Sequence, residues 1–390
     1  MDHINRKWVK CPIQSVGGSS SQNAFGVISY NILADCHVTP EDFPYCPAGS
    51  RFMKDRHKQL MIELQFDLES VDIICLQEVG ETYFVQQLQP ALLNLGFSGS
   101  FFKKQHGTAE GEATFYRNRR FSLTEERHVP CTQLIKEALL REKVNPDDVE
   151  QLLTYADKDN VIIMSKLYDS VTKKTLYVGN VHSTFSDYKF IDITTLQVVA
   201  AFNGLVEFAG DVDKPLIFCG DFNQEPHLPG YKVMHDGDLC EESVRYLMKF
   251  PIRTDNSAKR KPKYLIEEAR DCFKHRCRPL KSSYKEVMGS EPPFTNYEDM
   301  YGTMLPDSKG DQPIEEIQKN SAGVYESDPE KYGTQLFRAT LDYLWFNSGQ
   351  LDCFRALDIV DESVVQKFHA CPNQVFPSDH IMLKASYCFI

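Results

Sequence analysis

Six short polar clusters in this chain contain the residue types that cleave phosphate esters with the help of a metal ion. Together, acids, amides and imidazoles can bind a cation, activate water and stabilise a leaving oxygen. The clusters are Ser29-Tyr30-Asn31, Leu76-Gln77-Glu78, Asn180-Val181-His182, Gly220-Asp221-Phe222-Asn223, Leu341-Asp342-Tyr343 and Ser378-Asp379-His380. Each cluster alone fits an ordinary turn or a solvated loop. Their joint occurrence favours a single catalytic site.

A β-rich stretch precedes each cluster, which predicts that all six clusters lie at strand ends. The stretches are Phe25 to Ile28, Asp72 to Cys75, Thr175 to Gly179, Pro215 to Cys219, Phe337 to Thr340 and Gln374 to Pro377. Strand ends are rigid, so side chains there can converge with the precision that a catalytic site needs.

Glu78 is the predicted magnesium ligand, because it follows an apolar run and is expected to be exposed there. Mg²⁺ is a hard cation that proteins usually hold with one or two carboxylates plus substrate phosphate. Asn31 is predicted to support the metal or its bound water, and Asp379 to act as a ligand from the second side. We expect one or two magnesium ions, for which Mn²⁺ can substitute.

The cluster around Asp221 predicts the group that activates water. Residues two apart on an extended chain face the same way, so Asp221 and Asn223 are expected to point into one site. Asp221 would take the proton of the attacking water while Asn223 donates to a phosphate oxygen. Gly220 would let the backbone come close.

Two histidines complete the predicted set. His182 and His380 can hydrogen-bond or protonate a phosphoryl oxygen. An acid on the other ring nitrogen fixes the tautomer of such a histidine. Asp342 is the predicted orienting acid, paired with His380.

Composition and charge bound the class of protein. The chain has 390 residues with 42% hydrophobic residues and a net charge of −12, which is unusual for a protein that handles nucleic acid. No uninterrupted apolar run is long enough to span a membrane, and the N-terminus lacks the apolar stretch of a secretory signal. The twelve cysteines include no Cys-x-x-Cys pair and favour reduced thiols. We therefore expect an intracellular protein without membrane contact, cytoplasmic or else mitochondrial.

The pattern of elements predicts one α/β catalytic domain over residues 25–390. Residues 1–24 are predicted to form a flexible N-terminal segment, and residues 298–335, rich in Asp, Glu, Gly and Ser, a long insertion. Strands outnumber helices, and the polar clusters recur along the whole chain, which favours packed sheets over separate catalytic and binding domains.

The order of these clusters resembles that of the endonuclease/exonuclease/phosphatase superfamily of metal-dependent phosphoesterases. The stretch from Ser29 to Asp35 is similar to the branch that holds carbon-catabolite-repressor-type deadenylases, nocturnin, Angel proteins and 2′-phosphodiesterase. Tyr45-Cys46-Pro47, Leu76-Gln77-Glu78-Val79 and Phe294-Thr295-Asn296-Tyr297 fit the same branch. Lys104-Gln105-His106 followed by Ala113-Thr114-Phe115-Tyr116 leans towards 2′-phosphodiesterase.

The resemblance implies a four-layer sandwich, in which two mixed β-sheets lie face to face and are flanked by helices, with the site at one rim. It also implies magnesium at Glu78, substrate contacts from Asn31 and His182, and a base-stacking role for Phe294 on a substrate adenine. A packed core position is the alternative for Phe294.

Three functions compete on these grounds. The first is a magnesium-dependent phosphodiesterase or 3′-exoribonuclease that hydrolyses adenylate-rich RNA or 2′,5′-linked oligoadenylate. The second is a phosphatase that removes terminal or 2′,3′-cyclic phosphates from RNA ends or nucleotides. The third is a catalytically weak relative that binds RNA or acts as a scaffold, which the intact set of polar residues disfavours. The predicted partner is single-stranded RNA or oligoadenylate, and no protein partner is predicted.

Overall fold

The computed structural model describes residues 6–12, 23–40, 42–185, 189–252, 263–299 and 336–390. Its strands are β1 Trp8–Lys10, β2 Phe25–Asn31, β3 Ile73–Gly80, β4 Phe97–Lys103, β5 Glu110–Arg117, β6 Phe121–Pro130, β7 Val161–Asp169, β8 Thr175–His182, β9 Leu216–Asp221, β10 Pro251–Ile252, β11 Lys263–Tyr264, β12 Lys281–Ser282, β13 Asn296–Asp299, β14 Leu336–Ala339, β15 Asp342–Phe346, β16 Leu351–Leu357 and β17 Leu383–Phe389.

The α-helices lie outside the sheets. They are α1 Met53–Gln65, α2 Glu81–Tyr83, α3 Gln89–Asn94, α4 Cys131–Arg141, α5 Pro146–Ala156, α6 Ile191–Ala209, α7 Pro229–Asp236, α8 Glu241–Leu247, α9 Leu265–Glu268, α10 Ser283–Met288 and α11 Glu362–Gln366. One π-helical stretch, Phe84–Leu88, joins α2 to α3, and 3-10 turns occupy Ala48–Ser50, Leu68–Ser70 and Arg270–Phe273.

Two large mixed sheets carry the fold. The first sheet has the order β1-β16-β17-β2-β3-β5-β4, and the second has the order β12-β15-β9-β8-β7-β6. Each contains one parallel pair, β2 with β3 and β8 with β9, among antiparallel neighbours. Both parallel pairs are central, so the carboxyl ends of four buried strands meet at one edge of the molecule.

The sheets pack face to face through the side chains that alternate inward along each strand. Val27 and Cys75 of the first sheet and Val178 and Cys219 of the second belong to one buried cluster. Helices α1 and α3 cover the outer face of the first sheet, and α4 and α6 cover that of the second. The predicted four-layer α/β sandwich is confirmed.

Helix α6 has the length and the hydropathy that would also suit a membrane span. It is, however, almost wholly buried here, with the exposed Glu207 as its one position outside the buried class. Its residues pack with those of α4 and of sheet strands such as β8 in the largest hydrophobic cluster. In this structure α6 is a core helix.

Two predictions about the backbone are wrong. The N-terminal segment is not wholly flexible, because Trp8–Lys10 pairs antiparallel with Arg355–Leu357 at the edge of the first sheet. The stretch Gln374 to Pro377 is not a strand. The Asn373 side-chain oxygen accepts hydrogen bonds from the backbone amides of Val375 (2.8 Å) and Phe376 (3.0 Å), and this turn replaces strand pairing. The predicted insertion lies outside the described residues except for 298 and 299, which belong to β13.

Candidate active site

The predicted polar clusters meet where the two sheets open at one edge. Asn31 is the last residue of β2, His182 the last of β8 and Asp221 the last of β9. Asp342 begins β15, and antiparallel pairing sets it directly opposite Asp221. The sheet topology therefore converts four distant sequence positions into one cluster.

Asn31 lies at the centre of the cluster. Its side-chain nitrogen donates to Glu78 Oε1 at 2.9 Å and to Asp221 Oδ2 at 3.0 Å, and its side-chain oxygen accepts from the Leu33 amide at 3.0 Å. One buried amide thus joins an acid of the first sheet to an acid of the second. Because its oxygen is already engaged and its nitrogen can only donate, these hydrogen bonds suit a positioning role better than the predicted ligand role.

Glu78 lies in a β-bulge of β3, where the pairing with β5 shifts between Leu76 and Val79. Its φ of 55° is left-handed, which turns the carboxylate into the cavity between the sheets. The prediction that Glu78 is exposed is wrong, since its exposed fraction is 9% and Oε2 accepts from the Ala34 amide at 3.1 Å. Burial raises the pKa of Glu78, but His37, Lys104 and the Asn31 amide outweigh it and bring the pKa to about 2.

Asp221 and Asn223 form a tight turn after β9. Asp221 Oδ1 accepts from the Asn223 amide at 3.0 Å, and Asn223 has a left-handed φ of 47°. Gly220 has φ +141°, and a Cβ there would lie 1.7 Å from the Val181 carbonyl oxygen, so no other residue fits. Burial and the neighbouring Asp342 raise the pKa of Asp221 to about 7, against the opposing charge of His380.

His380 forms an ion pair with Asp342. The distance from His380 Nδ1 to Asp342 Oδ2 is 2.7 Å, while His380 Nε2 lies 3.6 Å from Asp221 Oδ2. Burial lowers the pKa of His380, but Asp342, Asp379 and Asp221 more than offset this and raise it well above its ordinary value. The structure therefore brings together the predicted pair and keeps the imidazole charged.

His182 lies on the second wall of the cavity and has a partner that sequence analysis missed. Lys104 Nζ lies 3.2 Å from His182 Nδ1, and an ammonium can only donate. Nδ1 must therefore accept, which puts the His182 proton on Nε2. That nitrogen lies 3.5 Å from Asp221 Oδ2 and 3.2 Å from the Asn223 side-chain nitrogen, with which a protonated Nε2 makes no hydrogen bond. Burial and the charge of Lys104 lower the pKa of His182 well below its ordinary value. His182 is a neutral donor, in contrast to His380.

Lys104 itself is buried and held by acids. Its Nζ lies 2.6 Å from Glu110 Oε1, and both side chains are almost inaccessible to solvent. Burial lowers the pKa of Lys104, but Glu110, Glu112 and Glu78 raise it by more. The signal available in the sequence was the polar Glu110-Gly111-Glu112 at the start of a strand, which has no place in an apolar core unless a cation neutralises it.

Arg56, on α1, fixes the loop that follows Asn31. Its guanidinium donates to the carbonyl oxygens of Ile32 (2.9 Å), Leu33 (2.6 Å) and Pro377 (2.6 Å). Because these carbonyls belong to the segments that carry Asn31 and Ser378, one buried arginine holds two parts of the site together. Sequence analysis gave no reason to expect the burial of Arg56.

Asp379 lies beside the cavity with two further polar residues. Asp379 Oδ2 accepts from the Asn296 amide nitrogen at 3.1 Å, and Oδ1 accepts from the Ser378 hydroxyl at 3.2 Å. Burial and the nearby charge of Glu78 raise the pKa of Asp379, against the charge of His380. Burial also raises the pKa of Glu298, which lines the same cavity, to about 8. Sequence analysis missed both Asn296 and Glu298 as site residues.

The donor chemistry of the cavity fits a hard divalent cation. Glu78 is an ionised carboxylate, and burial, with a smaller contribution from neighbouring carboxylates, raises the pKa values of Asp379 and Glu298. Oxygen ligands of this kind are those that magnesium prefers. Asp221, Asp342 and His380 also have ligand atoms within 4.8 Å of one another, although His380 Nδ1 and Asp342 Oδ2 pair with each other.

The cavity has a volume of about 560 Å³, and the predicted residues Glu78, His182, Asp221, Asn223 and Asp379 line it together with His380. Phe294 does not line it. Its exposed fraction is 1%, and its ring packs edge-to-face on Tyr297 at 5.2 Å within a hydrophobic cluster. The predicted adenine contact of Phe294 is therefore wrong for this structure. The phenylalanines that line the cavity are Phe43, which is buried, Phe185 and Phe337.

The fold consists of two mixed sheets between helical layers, with a buried acid–amide–imidazole cluster at one open edge. This combination defines a class of proteins that sequence comparison also identifies. The chain belongs to the Endonuclease/Exonuclease/phosphatase family, whose family model matches residues 28–380.

Two similar proteins indicate the branch of the family to which the chain is related. The chain is 27% identical to carbon catabolite repressor protein 4 homolog 1 of Arabidopsis thaliana over 96% of its own length and 59% of the relative's. It is 26% identical to 2′,5′-phosphodiesterase 12 of Bos taurus, over 91% of this chain and 50% of the relative. The chain therefore spans between half and three-fifths of these curated relatives.

Among solved structures, the crystal structure of ANGEL2, a 2′,3′-cyclic phosphatase, has a TM-score of 0.68 at 21% identity. The match covers 98% of this chain and 97% of that one. At this identity the likeness establishes the shared fold. The predicted family and branch are confirmed by these comparisons together.

Proposed function

We propose that this protein is a magnesium-dependent phosphodiesterase that shortens adenylate-rich RNA from its 3′ end. The observation that carries the proposal is the buried Asn31 amide, which joins Glu78 of one sheet to Asp221 of the other. It couples a carboxylate suited to a metal with a carboxylate suited to water activation, and hydrolysis of a phosphodiester needs both.

Asp221 is the group proposed to take the proton of the attacking water. Its pKa of about 7 matches the operating range of a general base, and its turn with Asn223 fixes its direction. Asn223 itself donates to the Ser183 carbonyl at 2.9 Å, so the side chain is held where it lines the cavity.

The two histidines would stabilise the phosphoryl oxygens in different ways. His380, charged and anchored by Asp342, offers a cationic donor where negative charge develops. His182 offers a neutral N–H whose direction Lys104 sets from behind. Because both rings are buried and hydrogen-bonded, their geometry is ready before substrate arrives.

Glu78 and Asp379 are the residues that would hold magnesium, with Mn²⁺ as a substitute. When bound, the cation would offset the charge of the phosphate and of the leaving oxygen. Asn31 would keep Glu78 in place, and the Ser378 hydroxyl and Asn296 amide would keep Asp379 in place.

Adenylate-rich RNA is proposed as substrate from the names of the relatives. One is named a carbon catabolite repressor protein 4 homolog and another a 2′,5′-phosphodiesterase. Phe185 is exposed and Phe337 half-buried at the cavity, and both offer a ring face to a base. These two rings replace Phe294 as candidate base contacts. The linkage, 3′,5′ or 2′,5′, is left to experiment.

A second candidate is removal of 2′,3′-cyclic phosphates. The observation that favours it is the shared fold with a 2′,3′-cyclic phosphatase over nearly the full length of both chains. A weak RNA-binding relative is disfavoured, because every predicted polar residue of the catalytic cluster is present and buried in it.

An intracellular location, cytoplasmic or else mitochondrial, is proposed from the cysteines. All twelve are free thiols, and Cys36 and Cys240 are exposed. Exposed free thiols suit a reducing compartment.

The proposal is tested by turnover of four 5′-labelled oligonucleotides in magnesium and in EDTA. They are a 3′,5′-oligoadenylate, a 2′,5′-oligoadenylate, an oligouridylate and an oligoadenylate that ends in a 2′,3′-cyclic phosphate. We expect magnesium-dependent shortening of the adenylates, and the faster linkage identifies the substrate. Loss of the cyclic phosphate without shortening would select the second candidate. No turnover of any substrate would refute both.

A further inference from the structure

A second cavity, which we call the lysine groove, adjoins the candidate active site. It has a volume of about 760 Å³ and lies between α5, the segment before α6 and the segment after α8. Its main side chains are Tyr155, Lys158, Lys189, Phe190, Lys249 and Phe250. Lys158 lines both the groove and the catalytic cavity, so the two lie side by side.

The charge of the groove is opposite to that of the chain. Three lysines line it, and among the described residues that line it none is acidic, although the chain has a net charge of −12. Lysines elsewhere, such as Lys103 and Lys232, pair with carboxylates within 3.0 Å. Among the described ion pairs none involves Lys158 or Lys249. The groove therefore offers positive charge to a ligand.

Aromatic rings alternate with these lysines. The ammonium of Lys158 lies 4.6 Å from the centre of the Phe190 ring, and that of Lys249 lies 4.5 Å from the centre of the Tyr246 ring. The Tyr155 hydroxyl donates to buried Asp192 at 3.2 Å, which fixes the direction of its ring. Cations beside half-buried rings are the combination that binds the backbone and the bases of single-stranded nucleic acid.

We infer that the lysine groove binds the nucleotides of a single-stranded RNA that lie upstream of the cleaved one. The inference rests on the proposed function, because a strand that leaves the catalytic cavity beside the shared Lys158 would pass along the groove. The cavity holds the reacting end, and the groove extends recognition to longer strands. It would make a long oligoadenylate a better ligand than a short one.

The test measures binding by fluorescence anisotropy in EDTA, where magnesium-dependent turnover cannot occur. A labelled oligoadenylate of about 12 nucleotides is displaced by unlabelled strands of about 12 or about 3 nucleotides. We expect the longer strand to bind about tenfold more tightly or better. Equal affinity of the two lengths would overturn the inference.

Salt dependence then locates the contact. Each lysine that neutralises a phosphate adds about 0.7 to the slope of log affinity against log salt on single strands, so Lys158→Ala/Lys249→Ala should reduce that slope by roughly 1.4. The matched control is Lys54→Ala/Lys58→Ala, which removes two exposed lysines of α1 on the opposite outer layer. An equal reduction in both double variants would overturn the inference, since it would reflect net charge alone.

A third variant separates stacking from charge. Phe250→Leu should weaken binding of the longer strand several-fold and leave the salt slope unchanged. Displacement of the labelled strand by polyglutamate as effectively as by oligouridylate of similar charge would overturn the inference and assign the groove to an acidic protein segment.

Binding and turnover distinguish the two proposals. If the wild-type chain cleaves no oligonucleotide but shows the length and lysine dependence of binding, the groove assignment stands and the proposed reaction fails. If it cleaves oligoadenylates of all lengths equally well and binds them equally well, the reaction stands and the groove assignment fails.

Discussion

The two ends of the sheets handle buried charge in opposite ways. At the end away from the cavity, Arg120 binds both oxygens of Asp169, at 3.1 and 2.9 Å, and also lies 3.5 Å from Asp72. Arg117 binds the Val71 carbonyl and completes a cluster in which each acid has an arginine. The buried charges at this end are therefore paired.

At the cavity end, acids outnumber permanent cations. Lys104 is the buried lysine there, whereas Glu78, Glu110, Asp221, Asp342 and Asp379 are all buried acids. Asp342 Oδ1 has no hydrogen-bond partner among the described residues. Buried charge without a partner is expensive, so a fold retains it only where another group completes the cluster. The buried charges at one end therefore stabilise the fold, whereas those at the other end are suited to binding a cation and a phosphate.

The largest expected effect is on catalysis. His380→Ala should lower kcat on oligoadenylate by about 10³-fold, because it removes the charged donor anchored by Asp342. His128→Ala, which removes a histidine on β6 paired with Glu126, is the matched control and should leave kcat unchanged. The readout is initial rate under saturating substrate. A rate within tenfold of wild type would remove His380 from the mechanism.

A substitution in the ionic cluster at the opposite end should lower the stability of the fold. Arg120→Met leaves Asp169 buried without its partner and should lower the free energy of unfolding by about 3–5 kcal/mol. The neighbouring Arg119→Met breaks only an exposed pair with Glu69 and should leave the free energy of unfolding almost unchanged, because solvent screens such pairs. Urea unfolding measures both. Equal losses would contradict the description of this end as a buried ionic cluster.

A pH effect should come from Lys384, a buried lysine of the first sheet. Burial lowers its pKa to about 7, and its nitrogen donates to the Phe66 and Asp67 carbonyls at 2.6 and 3.0 Å. Between pH 7 and the unfolded value near 10.5, the unfolded chain binds the extra proton, so stability rises with pH by up to about 1.4 kcal/mol per unit.

Lys384→Met removes this titration. The difference in unfolding free energy between the wild-type and variant chains, measured at pH 7, 8 and 9, should therefore increase with pH in favour of the wild type. A constant difference would show that Lys384 keeps an ordinary pKa in the folded chain.

The smallest expected effect distinguishes a phenylalanine of the core from one that lines the cavity. Phe294→Leu should lower the free energy of unfolding by about 1–2 kcal/mol and leave the preference for adenine over uracil unchanged, because the ring is buried in the core. Phe337→Leu, at the cavity, should reduce that preference. The measurement is the ratio of kcat/KM on oligoadenylate to kcat/KM on oligouridylate. A lower ratio in Phe294→Leu but not in Phe337→Leu would restore the predicted stacking role of Phe294.

Sequence reasoning found the parts of this fold that local patterns encode. The strand-end clusters predicted an α/β domain of packed sheets and eight of the nine proposed site residues that the structure gathers around the cavity, because apolar runs followed by polar residues are a local signal. The family and the four-layer sandwich came from the resemblance of the order of these clusters to a known superfamily. It failed where pairing is distant: Trp8–Lys10 meets its partner strand more than 340 residues later.

It also failed where side chains decide the backbone or the burial. A turn at Asn373 is found where a strand was predicted, and Phe294 packs in the core instead of contacting a base. Lys104 and Glu110 were not predicted as site residues, because each side chain is typical of an exposed charge until the other is placed beside it. Such pairs are set by three-dimensional neighbours that the sequence separates.

The most direct test of the account is the melting temperature of the wild-type and Glu78→Gln chains, each with magnesium and with EDTA. If the cavity end keeps its acids for a cation, magnesium should raise the wild-type Tm, because a ligand that binds only the folded state stabilises it. The Glu78→Gln chain, which loses the charge but keeps the shape, should not respond. A wild-type Tm that magnesium leaves unchanged, or an equal rise in both chains, would contradict the central claim.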